Sequence, residues 1–216
     1  MRGFLLCLSV VLVLVSGCSR PPRYSVYVTG YTGGAPSAIP AGARIAVVEN
    51  PAARNPLLEQ EVVSKARRAL AAQGFRAAEP AEADVAVLLT YGTDARLEQS
   101  YDAQYVPGQT STVKDSTGKI IGTVTGDASV AYHPTIATRE VPWLTMTALD
   151  GRAYRESSPG KPVWIGESKS SGANLPLRSM IDYLLVPAAS AFGRNQPQIR
   201  TLLRADDMSV AALRGQ

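Results

Sequence analysis

One stretch fixes more of the fold than any other, Ala43 to Tyr91. Arg44-Ile45-Ala46-Val47-Val48 is a short β-branched run that ends at Asn50-Pro51, as a buried strand would. Asn55-Pro56 then forms a helix start, with Asn as N-cap and Pro at the first helical position, where its missing N–H costs nothing. Leu58, Val62, Ala66, Ala69 and Leu70 recur at steps of three and four and give one apolar stripe. Gln73-Gly74 closes the helix, and Ala83 to Tyr91 reads as a second buried strand. A strand, a helix and a strand with this crossover length permit parallel pairing, so the chain is committed to a sheet carrying helices.

The first eighteen residues set a different constraint. Arg2 gives a positive start, Phe4 to Val15 is an almost unbroken apolar run, and Val15-Ser16-Gly17-Cys18 places small residues before a cysteine. In a helix that run reaches roughly 18 Å, short of a hydrocarbon core about 30 Å thick, so it reads as a signal-peptide core and not as a membrane span. The tetrad resembles the bacterial lipobox. That resemblance implies cleavage between Gly17 and Cys18, a diacylglyceryl group on the thiol and an N-acyl chain on the new terminus. Ser19 stands where an Asp would retain such a lipoprotein at the inner membrane, so the same resemblance implies the outer membrane of a Gram-negative cell, facing the periplasm. The alternative is an ordinary signal peptide with Cys18 lying near its cut.

With residues 1–17 removed, Cys18 is the last cysteine, which leaves neither a disulfide nor a cysteine metal site. Basic residues exceed acidic ones, 22 against 18, and losing Arg2 lowers the net charge from +4 to +3. The cations are scattered, with only Arg67-Arg68 adjacent, which argues against a nucleic-acid surface. About 160 residues suffice for one core without staples.

Residues 18–43 hold four prolines and four glycines and read as a lipidated tether. Tyr24, Val26 and Val28 alternate with polar neighbours, so this segment is either a flexible spacer or a short strand docked on the domain edge. Gly92 to Thr138 is rich in Gly, Ser, Thr, Asp and Tyr. Within it, Thr110-Ser111-Thr112-Val113-Lys114 and Lys119 to Val124 flank Asp115-Ser116-Thr117-Gly118, predicting a hairpin that projects from the domain or covers it loosely. Tyr91, Tyr101, Tyr105 and Tyr132 surround it, either as a partner-contact surface or as the cover of a sheet edge.

Further on, Glu140 to Leu149 reads as a strand with Pro142 at an edge or bulge, and Lys161 to Ser168 as its returning strand, so that Trp143 and Trp164 face each other. A second helix spans Leu175 to Phe192 with Asn174 as N-cap, kinked or ended by Pro187, and Gln198 to Leu203 adds a last strand. The expected architecture is α+β: a mixed sheet of five or six strands against two helices, a domain over 44–205 and a loose tail over 206–216, in which Val210 to Leu213 could form a helical turn. Pro56 to Val62, Ala71 to Phe75, Ala83-Asp84-Val85 and Lys161 to Glu167 resemble uncharacterised bacterial lipoproteins of the domain-of-unknown-function type, a resemblance that implies a fold and no activity.

No residues assemble into a catalytic set. His133 is the sole histidine, it precedes Pro134, and no Gly-x-Ser-x-Gly is present. Asp102, Asp115 and Asp127 lack EF-hand spacing, and Gly118, Gly122 and Gly126 lack the Lys-Ser/Thr pair and the preceding buried strand of a phosphate loop. Glu59 and Glu61, two apart on a helix, face different directions. The sequence therefore reads as a non-enzymatic envelope module with no cofactor beyond its lipid, binding another envelope protein or peptidoglycan. The competing readings are a wall-active hydrolase using unrecognised carboxylates and a carrier of lipid or another small ligand.

Overall fold

The computed structural model describes residues 21–33, 39–156, 161–171 and 175–215. The expected signal peptide, Gly17, Cys18 and the Asn174 cap lie outside them. The fold is α+β. Its described elements are β1 (Arg23–Thr32), β2 (Arg44–Val48), α1 (Pro56–Ala72), β3 (Arg76–Ala77), β4 (Val85–Val106), β5 (Thr110–Lys114) and β6 (Ile120–Thr125). They continue with β7 (Ser129–Asp150), α2 (Gly151–Arg155), β8 (Trp164–Ser170), α3 (Leu177–Ala191), β9 (Gln196–Arg204) and α4 (Met208–Arg214). Residues 94–140 form one compact unit and the remainder another.

In the larger unit a seven-stranded sheet runs β3-β2-β4-β7-β8-β1-β9, more strands than the five or six expected. The predicted strand-helix-strand is present: β2 pairs parallel with β4, Ile45 opposite Val85 and Val47 opposite Val87. Between them, Asn55 caps α1 by accepting a hydrogen bond from the Leu58 N–H at 3.1 Å. Gly74 ends the crossover at φ 88°, a left-handed geometry that suits glycine. Val62, Val63, Ala66, Ala69 and Leu70 of α1 share one core with Met180, Ile181, Leu184 and Leu185 of α3 and with the inward strand positions Val26, Val28, Leu144 and Met146.

The segment read as a tether contributes β1, which lies between β8 and β9 and not at an edge. Val28 pairs with Ser168 on one side and Ile199 on the other. Burial of Val26 and Val28 is complete, so the alternation outweighs the flanking prolines and glycines. Pro142 also stands inside the sheet, in β7. The ladder to β8 begins at Trp143 opposite Lys169, so the missing proline N–H falls beyond that pairing.

The two tryptophans do not meet. Trp164 pairs with Ala148, five residues from Trp143, so the side chains point to opposite faces. Trp164 is fully buried, stacks edge-on to Phe192 at 4.8 Å and donates to the Arg194 carbonyl at 2.9 Å. Trp143 instead lies over Gly92, where an added Cβ would sit 3.1 Å from the indole.

Pro187 neither ends nor starts an element. It lies within α3, which continues to Ala191, buried where packing offsets the lost hydrogen bond. The C-terminus is likewise ordered where a loose tail was expected. Asp207 caps α4, Val210 and Leu213 enter the core, and Arg214 pairs with Asp182 at 3.0 Å. Among the described residues no helix is long and apolar enough to cross a membrane.

Candidate functional site

The residues singled out from sequence separate into two groups. Tyr91 belongs to the larger unit, where its hydroxyl donates to Glu59 Oε2 at 2.8 Å and its ring packs against the core. Glu59 Oε1 accepts from the Asn50 N–H at 2.9 Å, so this buried carboxylate ties the loop after β2 to the strand beyond α1. Burial and the neighbouring Glu59 charge together raise the Tyr91 pKa, which keeps the phenol protonated. This is a structural lock; both carboxylate oxygens are committed to it. Glu61, on another side of the helix as its spacing requires, meets Lys65 and Arg178, each at 2.8 Å.

Tyr101, Tyr105 and Tyr132 lie in the unit of residues 94–140 and are all exposed. Strands β4 and β7 continue into this unit without a break, a continuation that the sequence reading did not foresee. Two side-chain contacts cross between them. Glu98 Oε2 meets Arg139 Nε at 2.8 Å, and the Thr135 hydroxyl donates to Asp102 Oδ2 at 2.8 Å. Moving four residues forward on β4 and four back on β7 is the signature of an antiparallel ribbon. The equal spans of β4 and β7 set their ends Val106 and Ser129 against each other, so Tyr105 stands opposite Val130, Ala103 opposite Tyr132 and Tyr101 opposite Pro134, and both side-chain contacts run diagonally.

Side chains alternate across a strand, so the ribbon has two faces of different chemistry. One carries Arg96, Glu98, Asp102, His133, Thr135 and Arg139. The other carries Leu97, Gln99, Tyr101, Ala103 and Tyr105 from β4 and Val130, Tyr132, Pro134, Ile136 and Thr138 from β7, with the Glu140 carboxylate at its end. Leu97 is 73% exposed, Ile136 68%, Tyr105 and Tyr132 67%, Tyr101 63% and Val130 51%. An aromatic face this open is what an interaction surface requires. The tyrosines were visible in the sequence. Leu97, Val130 and Ile136, which complete the face, were not singled out.

The unit ends in the expected hairpin, β5 against β6. Asp115 organises its turn, accepting from the Thr117 hydroxyl at 2.6 Å and from the Thr117 and Lys119 N–H groups at 2.9 and 3.0 Å. These donors hold its carboxyl below the usual carboxylate range. Asp102 is engaged with Thr135, and His133 lies exposed on the charged face. No group of three or more His, Cys, Asp or Glu residues that could hold a metal ion occurs among the described residues.

A groove of about 90 Å³ lies in the larger unit, lined by Arg68, Ala72 and Gln73 of the α1 end with Val186, Ala189 and Leu213. It is well short of the roughly 300–1,000 Å³ typical of small-molecule sites.

The sequence matches no protein-family model and no curated protein. Among solved structures, the chain is similar to the PelC dodecamer of Paraburkholderia phytofirmans in two crystal forms, at 15% and 14% identity. Both matches cover 79% of this chain and 99% of that one, with TM-scores of 0.39. A PDZ domain protein from Parabacteroides distasonis is 11% identical over 91% of this chain and 42% of that protein's chain, with a TM-score of 0.47. At these values the likenesses bear on neither activity nor partner.

Proposed function

We propose that this chain is a non-enzymatic lipoprotein of the bacterial cell envelope, anchored through acylated Cys18 and binding another envelope component through residues 94–140. The open, tyrosine-rich ribbon face carries the reading. It leaves large apolar side chains in water at a cost that only an occupant would offset. The anchor rests on the Val15-Ser16-Gly17-Cys18 tetrad behind its apolar run, and the outer-membrane address on Ser19. The lipid is the only prosthetic group this reading needs.

The experiment is in-cell crosslinking with a photoreactive amino acid placed singly at Tyr101, Tyr105 and Tyr132, the products read by mass spectrometry. A defined adduct from these positions, and none from Thr117 at the hairpin turn, is the expected result. No adduct at any of the three removes the binding role, and an unmodified N-terminus in the intact mass of the processed protein removes the anchor.

A further inference from the structure

The seven-stranded sheet of the larger unit keeps α1 and α3 on one face. Val26, Val28, Leu144 and Met146 point into the core shared with those helices, so the residues that alternate with them lie on the opposite face. There the strand pairings set Trp143 beside Lys169, Lys169 beside Tyr27 and Tyr27 beside Arg200, one residue each from β7, β8, β1 and β9. The row alternates aromatic ring and cation. Neighbouring strands lie about 4.8 Å apart, which separates Trp143 from Tyr27 by roughly 10 Å. Lys169 and Arg200 are exposed, and the two aromatic side chains are half-buried among their neighbours.

Two of these side chains are held in place. Trp143 lies over Gly92 of the adjoining β4, where an added Cβ would come within 3.1 Å of Cζ2 and 3.5 Å of Nε1. Glycine therefore lets the indole lie down across the sheet, its Nε1 buried without a hydrogen-bond partner among the described residues and its other ring face turned outward. Arg200 spends one of its five N–H donors on Ser25, Nε to Oγ at 2.6 Å. The next row sets Thr145, Glu167 and Thr29 side by side. Along β8, β1 and β9 this face carries Arg23, Lys169, Arg200 and Arg204 against Glu167, with Arg204 paired to Asp206, so cations prevail.

We propose, resting on the envelope address given above, that this row binds an acidic glycan strand, the peptidoglycan of the cell wall, as a surface distinct from the ribbon's. A sugar ring has a C–H face and a rim of hydroxyls, so it stacks on an aromatic ring and hydrogen-bonds sideways. Trp143 and Tyr27 give two such rests in line. Lys169 between them and Arg200 beyond meet the carboxylates that peptide stems carry along the strand, Arg200 through its planar fork. Thr145 and Thr29 supply hydroxyls to the sugar rims. A phospholipid headgroup layer would meet the cations but would give the two rings nothing to stack on.

The test is cosedimentation of the full-length chain, held in detergent, with purified peptidoglycan sacculi. Binding is expected, and its affinity should fall at least tenfold for Lys169→Gln with Arg200→Gln, for Trp143→Ala, and for sacculi whose carboxylates have been amidated. Lys114→Gln, on the hairpin, should leave it unchanged. Soluble peptidoglycan fragments should shift the tryptophan emission of the parent chain and not that of Trp143→Phe, since Trp164 is buried on the other face. Binding that survives the Lys169 and Arg200 substitutions overturns the proposal, because the site would then lie elsewhere. Equal binding to a neutral glucan overturns it as well, and preference for phosphatidylglycerol vesicles overturns it in favour of headgroups. No sedimentation with sacculi removes this surface and leaves the ribbon's role to the adducts at Tyr101, Tyr105 and Tyr132.

Discussion

Lys65 reaches Asp182 across 117 residues of sequence, its Nζ 2.7 Å from Oδ1, with both side chains almost wholly withdrawn from water. Asp182 is also held by Arg214 through Oδ2, and Lys65 by Glu61, so α1, α3 and α4 are joined through charges within the helical layer. Removing one member leaves its partner charged, buried and short of a counter-ion, which typically costs about 3–5 kcal/mol. Asp182→Ala should lower stability by that amount in urea unfolding. The double replacement Lys65→Met with Asp182→Leu should recover most of the loss.

Glu61 gives the same layer a pH dependence. Lys65 first, then Arg178, hold its carboxyl below the ordinary range. A lowered folded-state value stabilises above the unfolded one, about 4.3, and that contribution drains away as pH falls through the lowered value. Urea midpoints measured from about pH 6 to 3 should therefore fall less steeply for Glu61→Gln than for the parent chain.

The lock between Tyr91 and Glu59 has the opposite sign. A phenol whose proton is retained on folding stabilises below the unfolded value of about 10, and this is lost as pH rises through the raised one. Spectrophotometric titration should show a phenol ionising above the ordinary range, and Tyr91→Phe should abolish that late step. The same substitution strands one oxygen of buried Glu59, with an expected cost of about 1–3 kcal/mol in urea unfolding.

Gly166 cannot carry a side chain. A Cβ there would stand 2.0 Å from the Trp164 ring, which is itself wedged against Phe192. Gly166→Ala should destabilise by about 1–3 kcal/mol and shift the tryptophan emission, because the indole must move.

Truncation after Asp206 tests whether the C-terminus belongs to the fold. It exposes the surfaces that Val210 and Leu213 cover and deprives Asp182 of Arg214. A loss of several kcal/mol is expected in thermal or urea unfolding, whereas a free tail would be removed without effect.

Local signals were legible where one rule governs a whole element. The Asn55 cap, the α1 stripe and the parallel pairing of β2 with β4 follow from short-range pattern and are found as read. Elements whose pattern is diluted were misread. Val26 and Val28 define β1, but the breakers around them lower the segment's apparent order. On the ribbon the large side chains of β4 recur at Leu97, Tyr101 and Tyr105, every fourth residue with Gln or Ala between, so a search for apolar residues at every second position misses the strand. α4 offers only Val210 and Leu213 as a stripe, and its stabilising contact is made to a residue 32 positions away. Pro187 was read by its local cost, while the buried surroundings of α3 override it. The contact residues were half legible: Tyr101, Tyr105 and Tyr132 by type, their common face only once β4 and β7 lie side by side as neighbouring strands.

The position of β1 has a consequence for the proposed anchor. Sheet pairing already begins at Arg23 opposite Arg204, and only Ser19 to Pro22 separate that point from Cys18. Even fully stretched, five residue steps span no more than about 18 Å. A sulfur fixed by fatty chains would hold the folded body on a short leash, close against the lipid headgroups and unable to reach across the periplasm. Under that proposal, whatever the body meets would have to come to that surface.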